Sequence, residues 1–160
     1  MNADQYNQCV NDFADPLYRF LMKSLRDRDQ AKDIVQATFE KLWERHLDIS
    51  AEKAKSWLFT TAYHKMIDDI RHNSRKIGLE KADLQNLSYQ DEYTGIKDML
   101  DKGLNLLPEN QKNVLLLRDY EGYAYDEISE ITGLNESQVK VYIYRARIFL
   151  KEYITKIEAN

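Results

Sequence analysis

The sequence predicts an all-α protein of two small helical modules joined by a flexible linker, with a helix-turn-helix in the second module. Glycine and proline are scarce, at five and two among 160 residues, which disfavours a turn-rich all-β chain. Apolar residues recur every three or four positions along most of the chain, as in amphipathic helices. Residues 77–95 interrupt this period with a polar, acidic stretch. We therefore expect modules at 1–76 and 96–160 with a linker between them.

The first helix is predicted over residues 5–25, which hold apolar side chains at helical spacing. Pro16 is an awkward residue inside a helix because it lacks an amide hydrogen, and it predicts either a kink or a fresh start at Asp15. The polar run 26–30 predicts a turn, with Asp29 as a plausible N-cap for the next helix.

A second helix over about residues 30–47 carries an acidic stripe opposite its apolar face. Large apolar side chains flank the stripe, and two interpretations are equally weighted on spacing alone. The stripe is either an ordinary solvated surface or a docking face for a basic partner helix. The residues of the stripe and its edges are Asp33, Gln36, Glu40, Trp43, Glu44 and Leu47.

A third helix follows the segment 48–55 and ends near Arg75 in a basic run. Its outer face combines a tryptophan with nearby cations, which suits stacking on an unpaired base while the cations follow the backbone. The equally weighted alternative is a tryptophan half-buried under the preceding loop. The residues concerned are Lys53, Lys55, Trp57, Thr61, His64, Arg71 and Arg75.

A metal site is an alternative use of this helix, because His64, Asp68 and His72 share one face at i, i+4 and i+8. Three ligands on one straight helix spread over about 12 Å of its axis, so only adjacent pairs could hold one ion. His46 is the one other histidine, and no nucleophile constellation accompanies these residues. We therefore predict no metal, no cofactor and no catalytic residues, so that the protein is not an enzyme.

The second module resumes the helical pattern at Ile96. Pro108 is predicted at the first position of a further helix, which Gly122 closes. A short helix then runs to Thr132, and Gly133 follows where a residue able to adopt positive φ stops a helix.

The last helix begins with a capping box, because Asn135 and Gln138 stand at N-cap and N3 spacing. Two short helices joined by about four residues that include a glycine form a helix-turn-helix. The outward face of the last helix mixes cations with tyrosine, valine and isoleucine, which suits phosphates, base edges and thymine methyls better than bulk water. An ordinary solvated helix is the less favoured alternative. The outward residues are Lys140, Val141, Tyr144, Arg145, Ile148 and Lys151, with Arg147 on a shoulder.

Composition restricts the function further. The net charge is −4 and the pI about 5.4, which argues against a protein that coats DNA by bulk charge. From Leu134 to Lys151, however, four cations accompany one acid, so nucleic-acid contact would use local faces. No apolar run approaches a membrane span, no signal peptide is visible, and Cys9 is the single cysteine. We expect a cytoplasmic protein without membrane insertion.

Segments of the chain, taken in order, resemble the extracytoplasmic-function sigma factors of bacterial RNA polymerase. The matching segments are D-I-V-Q-A-T-F-E-K-L-W at 33–43, W-L-F-T-T-A-Y-H-K-M-I-D-D-I-R at 57–71, and residues 107–129 with V-K-V-Y-I-Y-R-A-R at 139–147. The resemblance covers nearly the whole chain, and its tyrosine-rich second module is similar to members from Bacteroidetes. It implies sigma region 2 at 1–76 and sigma region 4 at 96–160.

The resemblance implies a role for each exposed face. The acidic helix would dock on the clamp helices of the largest subunit of core RNA polymerase, and the flap is a second expected polymerase contact. The segment 48–57 and the third helix would bind the promoter −10 element, and the last helix would enter the −35 major groove. The residues assigned to polymerase are Asp33, Gln36, Glu40, Trp43 and Glu44. The residues assigned to the −10 element are Lys53, Lys55, Trp57, Thr61, His64, Arg71 and Arg75. The residues assigned to the −35 element are Ser137, Gln138, Lys140, Val141, Tyr144, Arg145, Arg147 and Lys151.

Members of this family are often held inactive by an anti-sigma factor wedged between the modules, or act beside a response regulator, and either is a candidate partner here. The competing function is a helix-turn-helix transcriptional regulator that does not bind polymerase as a sigma subunit. Such a regulator explains the second module but not the acidic stripe. The last helix, which the resemblance assigns to the −35 element, differs in sequence from many relatives at Lys140, Val141 and Tyr142. The resemblance therefore implies no particular promoter sequence.

Overall fold

The computed structural model describes residues 1–77 and 95–159, and the side chains of 1–74 and 95–159. All regular structure within these ranges is helical, which confirms the predicted fold class. The predicted linker falls mostly on residues 78–94, which lie outside this description. The first module contains α1 (Ala3–Leu25), α2 (Arg28–Glu44), a 3-10 turn (Ala51–Lys53) and α3 (Ala54–Ile77). The second contains α4 (Ile96–Leu106), α5 (Glu109–Leu115), a π-helical turn (Leu116–Tyr120), α6 (Tyr125–Thr132) and α7 (Glu136–Ala159).

Helix α1 runs unbroken through Pro16, so the predicted fresh start at Asp15 is wrong. The helix begins earlier because Asn2 and Gln5 form a reciprocal capping box, with Asn2 Oδ1 accepting the Gln5 amide at 2.8 Å and Gln5 Oε1 accepting the Asn2 amide at 2.9 Å. Burial of the side chains that follow the proline, Leu17 among them, stabilises α1 through the position that lacks a donor.

Helix α2 is capped two residues earlier than predicted. Asp27 Oδ1 accepts the Gln30 amide at 3.0 Å, so Asp27 and not Asp29 is the N-cap. Asp29 instead lies in the first turn, where its negative charge interacts favourably with the positive end of the helix dipole. The helix ends at Glu44 rather than near residue 47.

Each module has an apolar interior that fixes its helices. In the first module, α1, α2 and α3 bury large side chains against one another, each contributing about 1.5–3 kcal/mol. In the second, α4 approaches α7 at Gly103, where an added Cβ would lie 2.8 Å from Leu150 Cδ2. The largest fully buried side chains include Leu17, Phe20, Leu21, Ile34, Leu42, Leu58, Phe59, Met66, Leu104 and Leu115.

The entry to the helix-turn-helix also differs by one position from the prediction. Pro108 is the N-cap of α5 rather than its first helical residue. The chain then passes through the π-helical turn to Gly122, whose φ of +78° ends it as predicted.

The two modules lie against each other in this structure. Helix α1 packs on the π-helical turn, and α3 packs on α6. Within the described residues, no helix combines the length and apolar character needed to span a bilayer.

Candidate nucleic-acid interface and polymerase-docking face

The turn of the helix-turn-helix is held by local hydrogen bonds. Gly133 has φ +80° and its amide donates to Ser129 O at 2.9 Å, so it ends α6 as predicted. Asn135 Oδ1 accepts the Gln138 amide at 2.8 Å and Gln138 Oε1 accepts the Asn135 amide at 3.0 Å, which confirms the capping box. The Ser129 hydroxyl donates to Leu134 O at 2.5 Å. The angle between α6 and α7 is therefore set by residues close in sequence.

Helix α7 presents the outward face that its sequence predicts. Tyr144 is 66% exposed, Val141 43% and Ile148 39%, although these are side chains that proteins usually bury. Lys140 and Arg145 are exposed beside them. The inward set is buried at Val139, Ile143, Ala146 and Leu150 and half-buried at Tyr142 and Tyr153, while Ser137, Gln138 and Lys151 are exposed near the two ends of the outward face.

Arg147 differs from the other cations of α7 because an acid already pairs with it. Its Nε and Nη2 donate to the two carboxylate oxygens of Asp119 at 3.0 and 2.5 Å, and this hydrogen bonding raises the pKa of Arg147. Asp119 lies in the π-helical turn, 28 residues before its partner, so no helical spacing pointed to it. Arg147 thus carries less free positive charge toward DNA than Arg145, which has no such partner within the described residues.

Tyr125 is a second feature that sequence reasoning missed. The Arg118 guanidinium lies 4.3 Å from the centre of its ring, and Lys140 Nζ lies 5.4 Å from the same centre. Arg118 also donates to Tyr123 O at 2.9 Å, which fixes its orientation. Cation–π contacts of this kind are worth about 0.5–1 kcal/mol at exposed sites. Tyr125 therefore helps to position Lys140 at the start of α7.

The residues assigned to the −10 element lie along α3 and the turn before it. Trp57, Thr61 and His64 recur at helical spacing and share one face with Arg71. His64 and Arg71 are exposed, whereas Trp57 and Thr61 are half-buried, with Trp57 packed against the core. Trp57 is therefore half-buried against the core, and stacking of its exposed part on a base stays a prediction. Lys53 and Lys55 are exposed at the start of this surface, and the Arg75 side chain lies outside the described residues.

The acidic stripe of α2 is exposed along its whole length. Asp33, Gln36, Glu40, Trp43 and Glu44 are all solvent-accessible. Gln36 Nε2 donates to Glu40 Oε1 at 3.1 Å, and Trp43 remains 45% exposed. An open row of acids that ends in a tryptophan has the composition of a docking surface, in which an aromatic anchor adjoins charged contacts.

Tyr6 of α1 packs against the acidic face of α2, a contact that the sequence analysis did not predict. Its hydroxyl donates to Phe39 O at 2.9 Å, and its ring packs edge-on against Trp43 with 5.0 Å between centres. Burial and the Glu40 charge both raise the pKa of Tyr6. On the other side of Trp43, the His46 ring stacks on the indole with 4.2 Å between ring centres. Trp43 is thus held in place while much of its surface stays exposed.

The proposed metal ligands are not assembled into a site. Among the described residues, no group of three or more histidine, cysteine, aspartate or glutamate side chains is placed to hold an ion. The His46 ring stacks on Trp43, and the His64 ring lies edge-on to the Tyr63 ring with 5.7 Å between ring centres.

Known proteins resemble this chain in both sequence and fold. The family described as Sigma-70 region 2 matches residues 9–76, and Sigma-70, region 4 matches residues 97–150. RNA polymerase sigma factor SigV of Bacillus subtilis is 30% identical over 152 residues, covering 92% of this chain and 90% of that protein. ECF RNA polymerase sigma factor SigM of the same organism is 29% identical over 160 residues, covering 94% of each.

Solved structures with the same fold come from proteins of lower identity. The sigma factor RpoE in complex with the anti-sigma factor NepR from Bartonella quintana aligns with a TM-score of 0.76 at 23% identity, over 94% of this chain and 96% of that one. CnrH in complex with the cytosolic domain of CnrY aligns with a TM-score of 0.72 at 22% identity, over 97% and 90%. Together with the sequence matches along nearly its whole length, this shared fold leads to one conclusion: the chain belongs to the extracytoplasmic-function group of sigma-70 RNA polymerase sigma factors.

Proposed function

We propose that this sigma factor binds the clamp helices of core RNA polymerase through α2, the −10 element through α3 and the −35 element through α7. The observation that carries the proposal is that one chain exposes two unlike surfaces, the acidic face ending at Trp43 and the cation–aromatic face of α7. A regulator that only bound DNA would need the second surface alone. The chain is divided accordingly into region 2 at 1–76, a linker at 77–95 and region 4 at 96–160.

The −35 contact is a duplex contact. Helix α7 enters the major groove, where Arg145 and Lys140 donate to base edges or phosphates. Val141 and Tyr144 offer apolar contacts suited to thymine methyl groups. The firm capping of α7 supports this role, because a preorganised helix loses little conformational entropy on binding.

The −10 contact is a single-strand contact that favours opening of the duplex. Extruding a base costs a few kcal/mol, and stacking on an aromatic side chain returns about 1–3 kcal/mol. Trp57 is held against the core, so its exposed part would form a fixed wall for such a base, and Lys53 and Arg71 would follow the phosphates. The gain from stacking offsets the cost of extruding a base only where the promoter sequence fits the site, which makes duplex opening promoter-specific.

Polymerase makes the two DNA contacts cooperative. Once α2 is docked and the flap holds the second module, binding at one promoter element places the other module at high effective concentration near its own element. The chain itself supplies no covalent chemistry in this scheme, and it acts in the cytoplasm, where the transcription machinery works.

Regulation by a second protein belongs to the same proposal. Two solved structures with this fold contain a second protein: the sigma factor RpoE is bound to the anti-sigma factor NepR, and CnrH is bound to the cytosolic domain of CnrY. An anti-sigma factor that binds between the modules, or a response regulator, is the corresponding partner expected here. The tyrosine-rich second module favours an origin of the chain among Bacteroidetes.

Binding to purified bacterial core polymerase tests the proposal directly. Asp33→Lys combined with Gln36→Ala reverses a charge on the exposed α2 face and should weaken core binding at least about tenfold, or 1.4 kcal/mol. Both side chains are exposed, so the fold should survive, which circular dichroism checks. Arg145→Ala on α7 is the matched control and should leave core binding unchanged.

Either of two results would contradict the docking assignment. One is full core binding by the Asp33/Gln36 variant. The other is absence of binding by the folded wild-type chain, which would instead favour the helix-turn-helix regulator.

A further inference from the structure

One edge of α7 carries two cations, Lys140 and Arg147. They stand seven residues apart, so helical periodicity places them on the same edge, about 10 Å from each other along the helix axis. Cations on such an edge bind phosphates wherever a helix meets a duplex, whatever the base sequence. Within the described part of the chain, Arg147 is the only cation of α7 that forms an ion pair.

The partner of Arg147 is Asp119 in the π-helical turn. Both carboxylate oxygens accept hydrogen bonds from the guanidinium, at 3.0 Å from Nε and 2.5 Å from Nη2. This two-point geometry fixes the direction of the arginine side chain as well as neutralising its charge. Hydrogen bonding to Asp119 is the main cause that raises the pKa of Arg147, and Tyr125 raises it further.

The π-helical turn holds Asp119 in place for this contact. Its backbone closes over five residues, since the Glu121 amide donates to Leu116 O at 3.1 Å, where an α-helix closes over four. Leu116 and Leu117 of the turn are fully buried, which anchors the turn in the core and leaves Asp119 exposed at the surface. Asp119 therefore reaches Arg147 from a fixed backbone.

The ion pair lies at the surface by which α7 is proposed to meet DNA. The Arg147 side chain is 49% exposed and the Asp119 side chain 35%. Exposed pairs of this kind are weak because water screens them, so a phosphate can compete for the guanidinium. Phosphate binding through Arg147 must nevertheless break two hydrogen bonds, and it leaves the freed carboxylate close to the negatively charged duplex.

We propose that Asp119 determines specificity by holding Arg147 away from the phosphates, which lowers the affinity of α7 for DNA that lacks a −35 element. Binding to such DNA comes almost entirely from phosphate contacts, and a free arginine finds a phosphate in any register of the helix. Base contacts of Arg145 and its neighbours fix one register in the −35 complex, so a freed Arg147 gains less there. This inference rests on the proposed function, because it requires that α7 binds DNA.

Holoenzymes assembled from core polymerase and each variant test the proposal on two duplexes. One is a promoter duplex enriched from a randomised pool by the wild-type holoenzyme, and the other is the same duplex with its −35 element scrambled. Asp119→Asn removes the charge and keeps the side-chain shape. It should raise affinity for the scrambled duplex roughly fivefold at about 0.15 M salt and steepen the salt dependence by about 0.9, the value of one added phosphate contact. Affinity for the intact duplex should rise by less than about twofold, because its register is fixed.

Two further variants separate the charge of Asp119 from a structural role. Asp119→Asn combined with Arg147→Gln removes the freed cation and should return the salt dependence to the wild-type value. Asp126→Asn is the matched control: it removes the same charge from an exposed position that forms no ion pair within the described residues, and it should leave the salt dependence unchanged. Circular dichroism and urea denaturation verify that each variant is folded.

Three results would overturn the proposal. They are an unchanged or weakened affinity of Asp119→Asn for the scrambled duplex, an equal gain on both duplexes, and the same gain in Asp126→Asn. A purely structural role of Asp119 gives the first of these, since it weakens binding to both duplexes without steepening the salt dependence. Failure of the proposed function is distinguishable, because a wild-type holoenzyme that enriches no −35 sequence overturns both proposals at once.

Discussion

At the scale of single residues, two neighbouring arginines on α7 have different electrostatic environments. Arg147 is held by both carboxylate oxygens of Asp119, while Arg145 projects from the exposed face without a partner in the described structure. The sequence analysis assigned both to the −35 element, with Arg145 on the outward face of the helix and Arg147 on its shoulder. The ion pair with Asp119 joins α7 to the π-helical turn through Arg147, and it leaves Arg145 as the arginine that we propose contacts a base.

We predict that Arg145→Ala weakens promoter binding by the holoenzyme by about tenfold or more, because a good base contact is worth about 1–3 kcal/mol. Arg147→Ala should weaken it less, since part of that charge is already neutralised. Filter binding or fluorescence anisotropy at fixed salt concentration would measure the dissociation constant of each variant for promoter DNA. Equal losses for the two variants would show that Asp119 releases Arg147 to DNA.

At the scale of secondary-structure elements, α1 and α7 begin with the same chemistry. Asn2 with Gln5 and Asn135 with Gln138 form reciprocal capping boxes with nearly equal distances. The two boxes therefore provide a matched pair in which helix capping is the same and the consequence for function differs.

We predict that Asn2→Ala and Asn135→Ala each lower the free energy of unfolding by about 1 kcal/mol, the usual value of an N-cap. Only Asn135→Ala should also weaken −35 binding, because it frays the end of α7 that carries Ser137 and Lys140. Urea denaturation measures the first effect and promoter binding the second. A loss of promoter binding in Asn2→Ala as large as in Asn135→Ala would mean that general instability, not capping of α7, explains the effect.

At the scale of the whole molecule, two buried or half-buried tyrosines differ in whether their hydroxyl groups are hydrogen-bonded. Tyr6 inside the first module donates to Phe39 O at 2.9 Å. Tyr123 between the modules is buried with its hydroxyl unpaired, and burial raises its pKa. The Tyr6 hydroxyl inside the first module is thus paired, whereas the Tyr123 hydroxyl between the modules is not; within the second module, Asp98 Oδ2 is likewise buried without a partner.

Replacement of each tyrosine by phenylalanine should therefore have opposite effects. Tyr123→Phe should raise the free energy of unfolding by about 1 kcal/mol, because it removes an unpaired buried hydroxyl, and Tyr6→Phe should lower it by about the same amount. Urea denaturation of both variants gives the comparison. Destabilisation by Tyr123→Phe would mean that water or a neighbouring group satisfies the hydroxyl in solution.

Features that depend on neighbours within three to five residues were predictable from the amino-acid sequence. Both the stop at Gly133 and the capping box at Asn135 follow from local backbone geometry, which is why they were predicted correctly. The outward face of α7 was also predictable, because helical periodicity assigns each side chain a direction. Errors of one or two residues arose where several residues could serve as caps, as at Asp27 and Asp29.

Contacts between groups that are distant in sequence became known only from the packing of the helices. The pairing of Arg19 with Glu121 spans 102 residues, and the brace of Tyr6 under Trp43 joins different helices. Neither leaves a periodic trace in the sequence, because a contact between elements depends on how helices pack rather than on the spacing within one of them. The half-burial of Trp57 and the closure of the two modules have the same origin, since both depend on which apolar surfaces find each other when the chain folds.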